Sequence, residues 1–315
     1  MPTSELPLAT RCPSCQGESR ALGHAVIAPF VSSLAHLPVG SESELRRCER
    51  CTLEYFSARY RSEDAALLYE GYRDGEYLST RRRWEPWYSQ RVNAANAADS
   101  PALSERRSFM SRILVAAGMS DALDCAVDFG GDEGQFFPDV PIARKVICDP
   151  SEREVAPGVE RIPSLDSLRG VSPNLVIIAH VLEHLSDPEG PLQHIREVIA
   201  DDGLLYVEVP LDRFTTHPSH NSLRYRRYLQ FLSRHRGLFI PTDFVTGVWR
   251  QYLHAIPRLG IVKQSEHINY FSPQALRDLL MRTGFSVVAE RNDPRALVGG
   301  LRIGRYGAAA RPARA

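Results

Sequence analysis

The 315-residue sequence predicts an α/β fold built on a doubly wound, mainly parallel sheet. Three observations carry this. Short apolar runs alternate with helical patterns between residues 104 and 210, as parallel strands and their crossover helices do. One such run, Cys125 to Phe129, ends in a turn crowded with Gly130, Gly131 and Gly134. Two CxxC pairs, Cys12 with Cys15 and Cys48 with Cys51, stand near the N-terminus.

The glycine turn is expected to close a buried strand and open a helix. Glycine tolerates positive φ and leaves bare backbone for a ligand to approach. About twenty residues on, the apolar run Val146 to Cys148 ends in Asp149, whose carboxylate can accept both hydroxyls of a ribose. Together these describe a nucleoside site. The spacing is not the G-x-G-x-x-G of dinucleotide folds, and Asp132 and Glu133 inside the turn would repel a pyrophosphate. Two carboxylates suit a ligand carrying a sulfonium and an ammonium, which S-adenosylmethionine does.

Acidic and basic residues balance at 38 each, so nothing global points to nucleic acid or an anionic membrane. The first residues have no basic and apolar leader pattern, and no run approaches the ~18 apolar residues of a membrane span, so a cytoplasmic protein is expected. Cysteines in such a compartment are more often ligands or buried thiols than disulfides. Cys12, Cys15, Cys48 and Cys51 supply the four sulfurs that tetrahedral zinc requires. The 32 residues between the pairs hold His24 and His36, the alternative ligands. Cys125 and Cys148 fall in core strands and are expected to be inert.

In chain order, residues 1–57 read as a zinc-binding ribbon and 58–103 as a helical connector in which Tyr60, Tyr69, Tyr72, Tyr77, Trp84 and Trp87 interleave with arginines. Aromatic and basic residues so mixed can bind nucleic acid, but acids are nearly as frequent here, which favours plain packing. Asn93 to Pro101 reads as a linker. A helix follows with Phe109, Ile113, Leu114 and Ala117 on one face, closed by Gly118. Residues 104–210 make the cofactor-binding domain: after the Asp149 strand come a third strand at Asn174 to Ala179, a helix at Pro191 to Ala200 and a fourth strand at Leu204 to Val209. Residues 211–263 read as a lid insertion with nine basic residues against Asp212 and Asp243, and with Tyr225, Tyr228, Leu229 and Leu232 on one helical stripe. The sheet returns over 264–305 with a strand at Phe285 to Arg291. The tail 306–315, YGAAARPARA, has little apolar content and is expected to be disordered.

The ordered set VDFGGDEG, ICDPS, NLVIIAHVLEHLSDP, IADDGLLYVEVP and EHINYFSPQALRDLLMRTGF resembles the class I S-adenosylmethionine-dependent methyltransferases. Within them it resembles the branch with an N-terminal zinc-binding segment found among sugar- and polysaccharide-tailoring enzymes. The resemblance implies a Rossmann-like methyltransferase sheet, with Asp128, Gly130, Gly131 and Gly134 lining the methionine part and Asp149 holding the ribose. Asp132 stands where the family usually has its second glycine. Leu165 is assigned to the adenine pocket. His180, at the end of the third strand, faces the reaction centre, while Glu183 and His184 tie that strand end to neighbouring backbone. Glu266 and His267 resemble the Glu-His pair of keto-sugar C-methyltransferases, with His267 as general base and Glu266 orienting it. The tyrosine that assists there is Gln264 here, which favours O-methylation of a sugar or polysaccharide-related acceptor. The basic lid points to an anionic acceptor, nucleotide-linked or phosphorylated, and its apolar stripe to peripheral contact with a membrane. The readings kept open are C-methylation of a nucleotide-linked keto-sugar, and a non-catalytic zinc-ribbon binding module with a degenerate Rossmann domain.

Overall fold

The computed structural model describes residues 6–313 except 70, 73, 95–100, 151, 152, 214, 295, 299, 300 and 303; most of the expected linker lies outside them. The chain divides into two compact units. Elements are numbered along the whole chain.

The first unit comprises Met1–Ala94, Asp212–Tyr270 and Leu301–Ile303. Its strands are β1 (Ser19–Ile27), β2 (Glu42–Cys48), β3 (Glu54–Phe56), β9 (Lys263–Gln264) and β10 (Asn269–Tyr270), in the order β10-β3-β2-β1-β9. Its helices are α1 (Pro29–Leu34), α2 (Ser62–Tyr69), α3 (Gly75–Trp84), α4 (Gln90–Ala94), α7 (Leu223–Arg234) and α8 (Arg236–Leu253). Ser222 caps α7 by accepting from the Tyr225 N–H at 3.2 Å. The stripe read from the sequence then packs Tyr225, Leu229 and Leu232 with Val26 of β1, Leu45 of β2 and Phe56 of β3. The ribbon and the lid insertion, expected as separate modules, are therefore one folded body. The physical reason is that a sheet with one apolar face needs a cover, and α7 supplies it.

The second unit comprises Ala95–Leu211, Phe271–Gly300 and Gly304–Ala315. It holds α5 (Pro101–Ala116), β4 (Leu123–Phe129), β5 (Ile142–Cys148), β6 (Val159–Ile162), β7 (Leu175–Ala179), α6 (Gly190–Val198), β8 (Leu204–Pro210), α9 (Pro273–Arg282), β11 (Phe285–Asp293) and β14 (Arg305–Pro312). The two-residue strand β12 (Leu297–Val298) belongs to this unit and β13 (Leu301–Arg302) to the first. The seven-stranded sheet runs β11-β14-β8-β7-β4-β5-β6, parallel from β8 to β6 and antiparallel on either side of β14. Ala126, Ile147, Ile177 and Tyr206 pack with Phe109, Met110, Ile113 and Leu114 of α5. Their neighbours Val127, Val146, Ile178 and Val207 are equally buried and point to the other face by strand alternation. A sheet buried on both faces reads as continuous apolar runs, which is how these strands were legible.

Two expectations are corrected here. No helix opens after the glycine turn: residues 130–141 run as turns, a bend and irregular chain. Asp132 lies in the left-handed region at φ 51°, and Pro138 and Pro141 follow, so the segment has neither the dihedrals nor the donors of a helix. The tail is not disordered either, since Arg305 to Pro312 form β14, inside the sheet. Low side-chain volume is what suits it to that place. A Cβ on Gly307 would stand 2.8 Å from Ile113 Cδ1 and from Phe109 Cε1, so only a strand of small residues fits beneath α5.

Candidate active site

The carboxyl ends of β4, β5 and β7 converge in the second unit, where ligands of open α/β sheets bind. At the end of β4, Asp128 is 2 % exposed and its Oδ2 has no hydrogen-bond partner among the described residues. Burial pushes its carboxyl well above the usual carboxylate range; Arg106 opposes the shift, Asp149 and Asp132 add to it. Gly130 follows at φ 76°, where a Cβ would stand 2.5 Å from Val181 Cγ2, and a Cβ on Gly131 would meet the Asp128 carboxyl at 2.8 Å. The turn is thus a concave backbone wall beside a buried, unspent carboxyl oxygen.

Asp149 reaches this turn from the end of β5. Its Oδ2 accepts the Asp132 backbone N–H at 3.0 Å, and the Gly130 N–H donates to the Cys148 carbonyl at 2.9 Å. Arg161 of β6 lies 3.9 Å from Asp149 Oδ1 and donates to the Asp132 carbonyl at 3.2 Å. Arg153 pairs with Asp132 at 3.2 Å and with Glu133 at 3.4 Å. Arg153 thus offsets part, but not all, of the negative field of the two acids in the turn. The carboxyl beside the turn whose Oδ2 has no partner among the described residues is Asp128, and Asp149 holds the turn. Gly134 lies at φ 79°, and Leu165 is buried in the short 3-10 turn Leu165–Leu168.

At the end of β7, His180 lies at φ 60°, an uncommon conformation for a non-glycine residue. Its Nδ1 is 3.2 Å from Glu183 and its Nε2 is 2.8 Å from Glu208. Glu208 is fully buried in β8, receives Arg106 Nε at 3.1 Å and accepts the Tyr206 hydroxyl at 2.7 Å. Burial and Arg106 both act to lower the His180 value, but Glu183 and Glu208 outweigh them and raise it. Burial would likewise raise Glu208; Arg106, His180 and Tyr206 hold it well below the usual range instead. A carboxylate on each nitrogen favours the imidazolium, the form in which the ring has no lone pair for a substrate proton. Arg106 and Glu208 were not singled out from the sequence. The signal was an acid inside the apolar run LLYVEVP, since a buried carboxylate needs a partner.

In the first unit, Cys12, Cys15, Cys48 and Cys51 are buried with their sulfurs within 4.8 Å of one another. Cys12 and Cys51 are 3.6 Å apart, and Cys15 and Cys48 are 3.4 Å apart. Zinc–sulfur bonds of about 2.3 Å in a tetrahedron put sulfurs about 3.8 Å apart, so this donor set fits the ion. The Arg50 and Cys51 N–H groups each lie 3.4 Å from Cys48 Sγ, as in a knuckle that softens thiolate charge. The cluster does not include His24, which lies 3.7 Å from Glu44, or His36. Elsewhere in this unit Glu266 accepts from the Tyr77 hydroxyl and from Arg81 Nη1, the latter at 3.0 Å. Gln264 is buried between Ser43 and the Ala58 carbonyl. The Tyr270 hydroxyl donates to the His267 carbonyl at 3.4 Å.

Among solved structures, the chain is similar to the N-methyltransferase NodS from Bradyrhizobium japonicum in complex with S-adenosylhomocysteine. Identity is 13 %, with 69 % of this chain and 90 % of that one covered at a TM-score of 0.41. It is also similar to the 1,6-didemethyltoxoflavin-N1-methyltransferase of Burkholderia thailandensis, at 12 % identity, 69 % and 80 % coverage and a TM-score of 0.40. No curated protein matches the chain. The family described as "Methyltransferase domain" matches residues 102–290, more than half of the chain, across the glycine turn, Asp149 and the His180 network. The chain belongs to this methyltransferase-domain family, the S-adenosylmethionine-dependent class that its ordered motifs resemble.

Proposed function

We propose that the protein moves a methyl group from S-adenosylmethionine to a hydroxyl of a sugar or polysaccharide-related acceptor. The observation that carries the donor assignment is the buried Asp128 carboxyl, whose Oδ2 lacks a partner beside the Gly130–Gly131 wall. Buried polar atoms are nearly always satisfied, so one facing a backbone cradle calls for a donor or cation from a ligand. An amino acid ammonium is such a group. Asp149 Oδ1 is the acceptor offered to a ribose, and Leu165 an apolar contact for a purine. When bound, the donor supplies a methyl group on a sulfonium, electrophilic without help from a metal.

The chain's own work is then to hold donor and acceptor in line and to take the acceptor's proton. A hydroxyl must lose that proton, and a neutral imidazole is best matched to the task near neutral pH. His267 is the side chain we assign to it. His180, with both nitrogens occupied, fixes the ends of β7 and β8 instead. Glu266 is engaged by Tyr77 and Arg81 and so anchors the loop that carries His267. The four thiols hold one zinc with every position filled by protein, a folding site and not a catalytic one.

Calorimetric titration with S-adenosylhomocysteine and with NAD tests the donor. Binding of S-adenosylhomocysteine alone is expected, binding of NAD alone would overturn the reading, and binding of neither would favour the non-catalytic module. Turnover of a neutral sugar hydroxyl in high salt would count against an anionic acceptor.

A further inference from the structure

The helix α8 has two faces of different kinds. Phe239, Asp243 and Thr246 are buried. The opposite face presents Leu238, Val245, Val248, Trp249 and Tyr252, 39 to 74 % exposed, and no charged residue interrupts it between Arg236 and Arg250. At a spacing of three, four and seven these side chains form one stripe along the 18-residue helix. Leu259 is exposed in the chain just beyond. Monomeric proteins rarely leave so continuous an apolar strip to water, so something covers it.

The charges around it say what. Residues 211–263 carry nine basic side chains and only two acids, Asp212 and Asp243, whose side chains are 12 % and 4 % exposed. The exposed charges of the segment, among them Arg227, Arg234, Arg236 and Arg258, are therefore all positive. A two-fold contact with a second copy through this face would set arginine against arginine, which is unfavourable. An apolar stripe with tryptophan and tyrosine, on a segment whose exposed charges are all arginine, complements an anionic lipid surface on both counts.

We infer that α8 is a peripheral membrane-binding element: it seats Leu238, Val245, Val248, Trp249 and Tyr252 among the acyl chains of an anionic bilayer while exposed arginines of the same segment meet the headgroups. The helix lies in the interface and does not cross it, in keeping with the absence of any membrane-spanning helix among the described residues. The inference does not rest on methyl transfer, and it is tested without the donor.

The full chain is floated with vesicles of phosphatidylcholine alone and with vesicles of phosphatidylcholine and phosphatidylglycerol in equal parts. Flotation with the anionic vesicles only is expected, weakening as salt rises. V245D/W249E, two exposed positions, should abolish it while circular dichroism stays unchanged. R234Q and R236Q should each weaken binding about fivefold, the equivalent of about 1 kcal/mol per cation near the surface. No flotation, equal flotation with both vesicles, or flotation indifferent to V245D/W249E would overturn the inference. A dimer in sedimentation that V245D/W249E converts to monomer, without flotation, would assign the face to a second copy.

Discussion

Asp149 accepts the backbone N–H of Asp132 at 3.0 Å, so the residue read as the ribose acceptor is also the tether of the glycine turn. The two roles separate by substitution. Asp149→Asn keeps an acceptor for Asp132, while Asp149→Ala removes both. Asp149→Ala should weaken S-adenosylhomocysteine by ~1.5 to 3 kcal/mol, the size of a charge-assisted hydrogen bond, with Asp149→Asn intermediate. Calorimetry reads both, and unchanged affinity in Asp149→Ala would move the ribose elsewhere.

The Cys12, Cys15, Cys48 and Cys51 cluster should hold close to one zinc per chain by elemental analysis. Cys48→Ser combined with Cys51→Ser should leave less than half of that and lower the melting temperature, because structural zinc contributes directly to folding. Full zinc retained in the double variant would exclude the four-thiol site.

His267→Ala should reduce kcat by ~10² to 10⁴, the range of general-base catalysis, with donor affinity nearly unchanged. Steady-state kinetics beside calorimetry gives both quantities. A variant with wild-type kcat would remove His267 as the base and point to an acceptor such as a neutral amine, whose lone pair attacks before any proton is lost.

The Arg106, Glu208, His180 and Glu183 chain makes stability depend on pH in a definite direction. The folded value of His180 is raised above 6.5, so its contribution is complete below that pH and is lost as pH rises through the folded value. The folded value of Glu208 is depressed below 4.5, so its contribution is present above that pH and is lost as pH falls through the folded value. The chain is thus complete between roughly pH 4.5 and 6.5. Urea unfolding of the wild type should weaken above that window relative to His180→Gln, and parallel curves would show that the ring is neutral when folded. Glu208→Gln leaves Arg106 without its counter-charge and should cost about 3 to 5 kcal/mol.

Deleting residues 305–315 should leave β8 and β11 without their shared partner and give insoluble protein, as unpaired apolar strand edges do. Gly307→Val tests the same strand more gently. Crowding Ile113 and Phe109 should cost about 1 to 3 kcal/mol by chemical denaturation. Soluble, fully stable protein after the deletion would mean β14 is dispensable.

The strands β4, β5, β7 and β8 were legible because the stretch of each that lies inside the sheet is buried on both faces and so reads as a short, mainly apolar run. The four cysteines were legible because their chemistry is written in their spacing. Asp128, Asp149 and His180 were placed at strand ends by the same local pattern. What local pattern could not supply was any term set by distant partners. The helix expected after the glycine turn gave way to the left-handed Asp132, tied to Asp149 at 3.0 Å, and to two prolines. The tail looked too poor in apolar volume to pack, yet small side chains are the requirement for an inner strand pressed against Phe109 and Ile113. That Arg153 shares the field of the two acids in the turn was also not visible in the sequence. Glu208 lies 102 residues from Arg106, and nothing near either one shows that they meet. The sequence alone determined which segments bury and which residue types the chemistry has at hand. The tertiary structure decided which charges cancel, because pairing depends on a few ångströms that spacing along the chain does not encode.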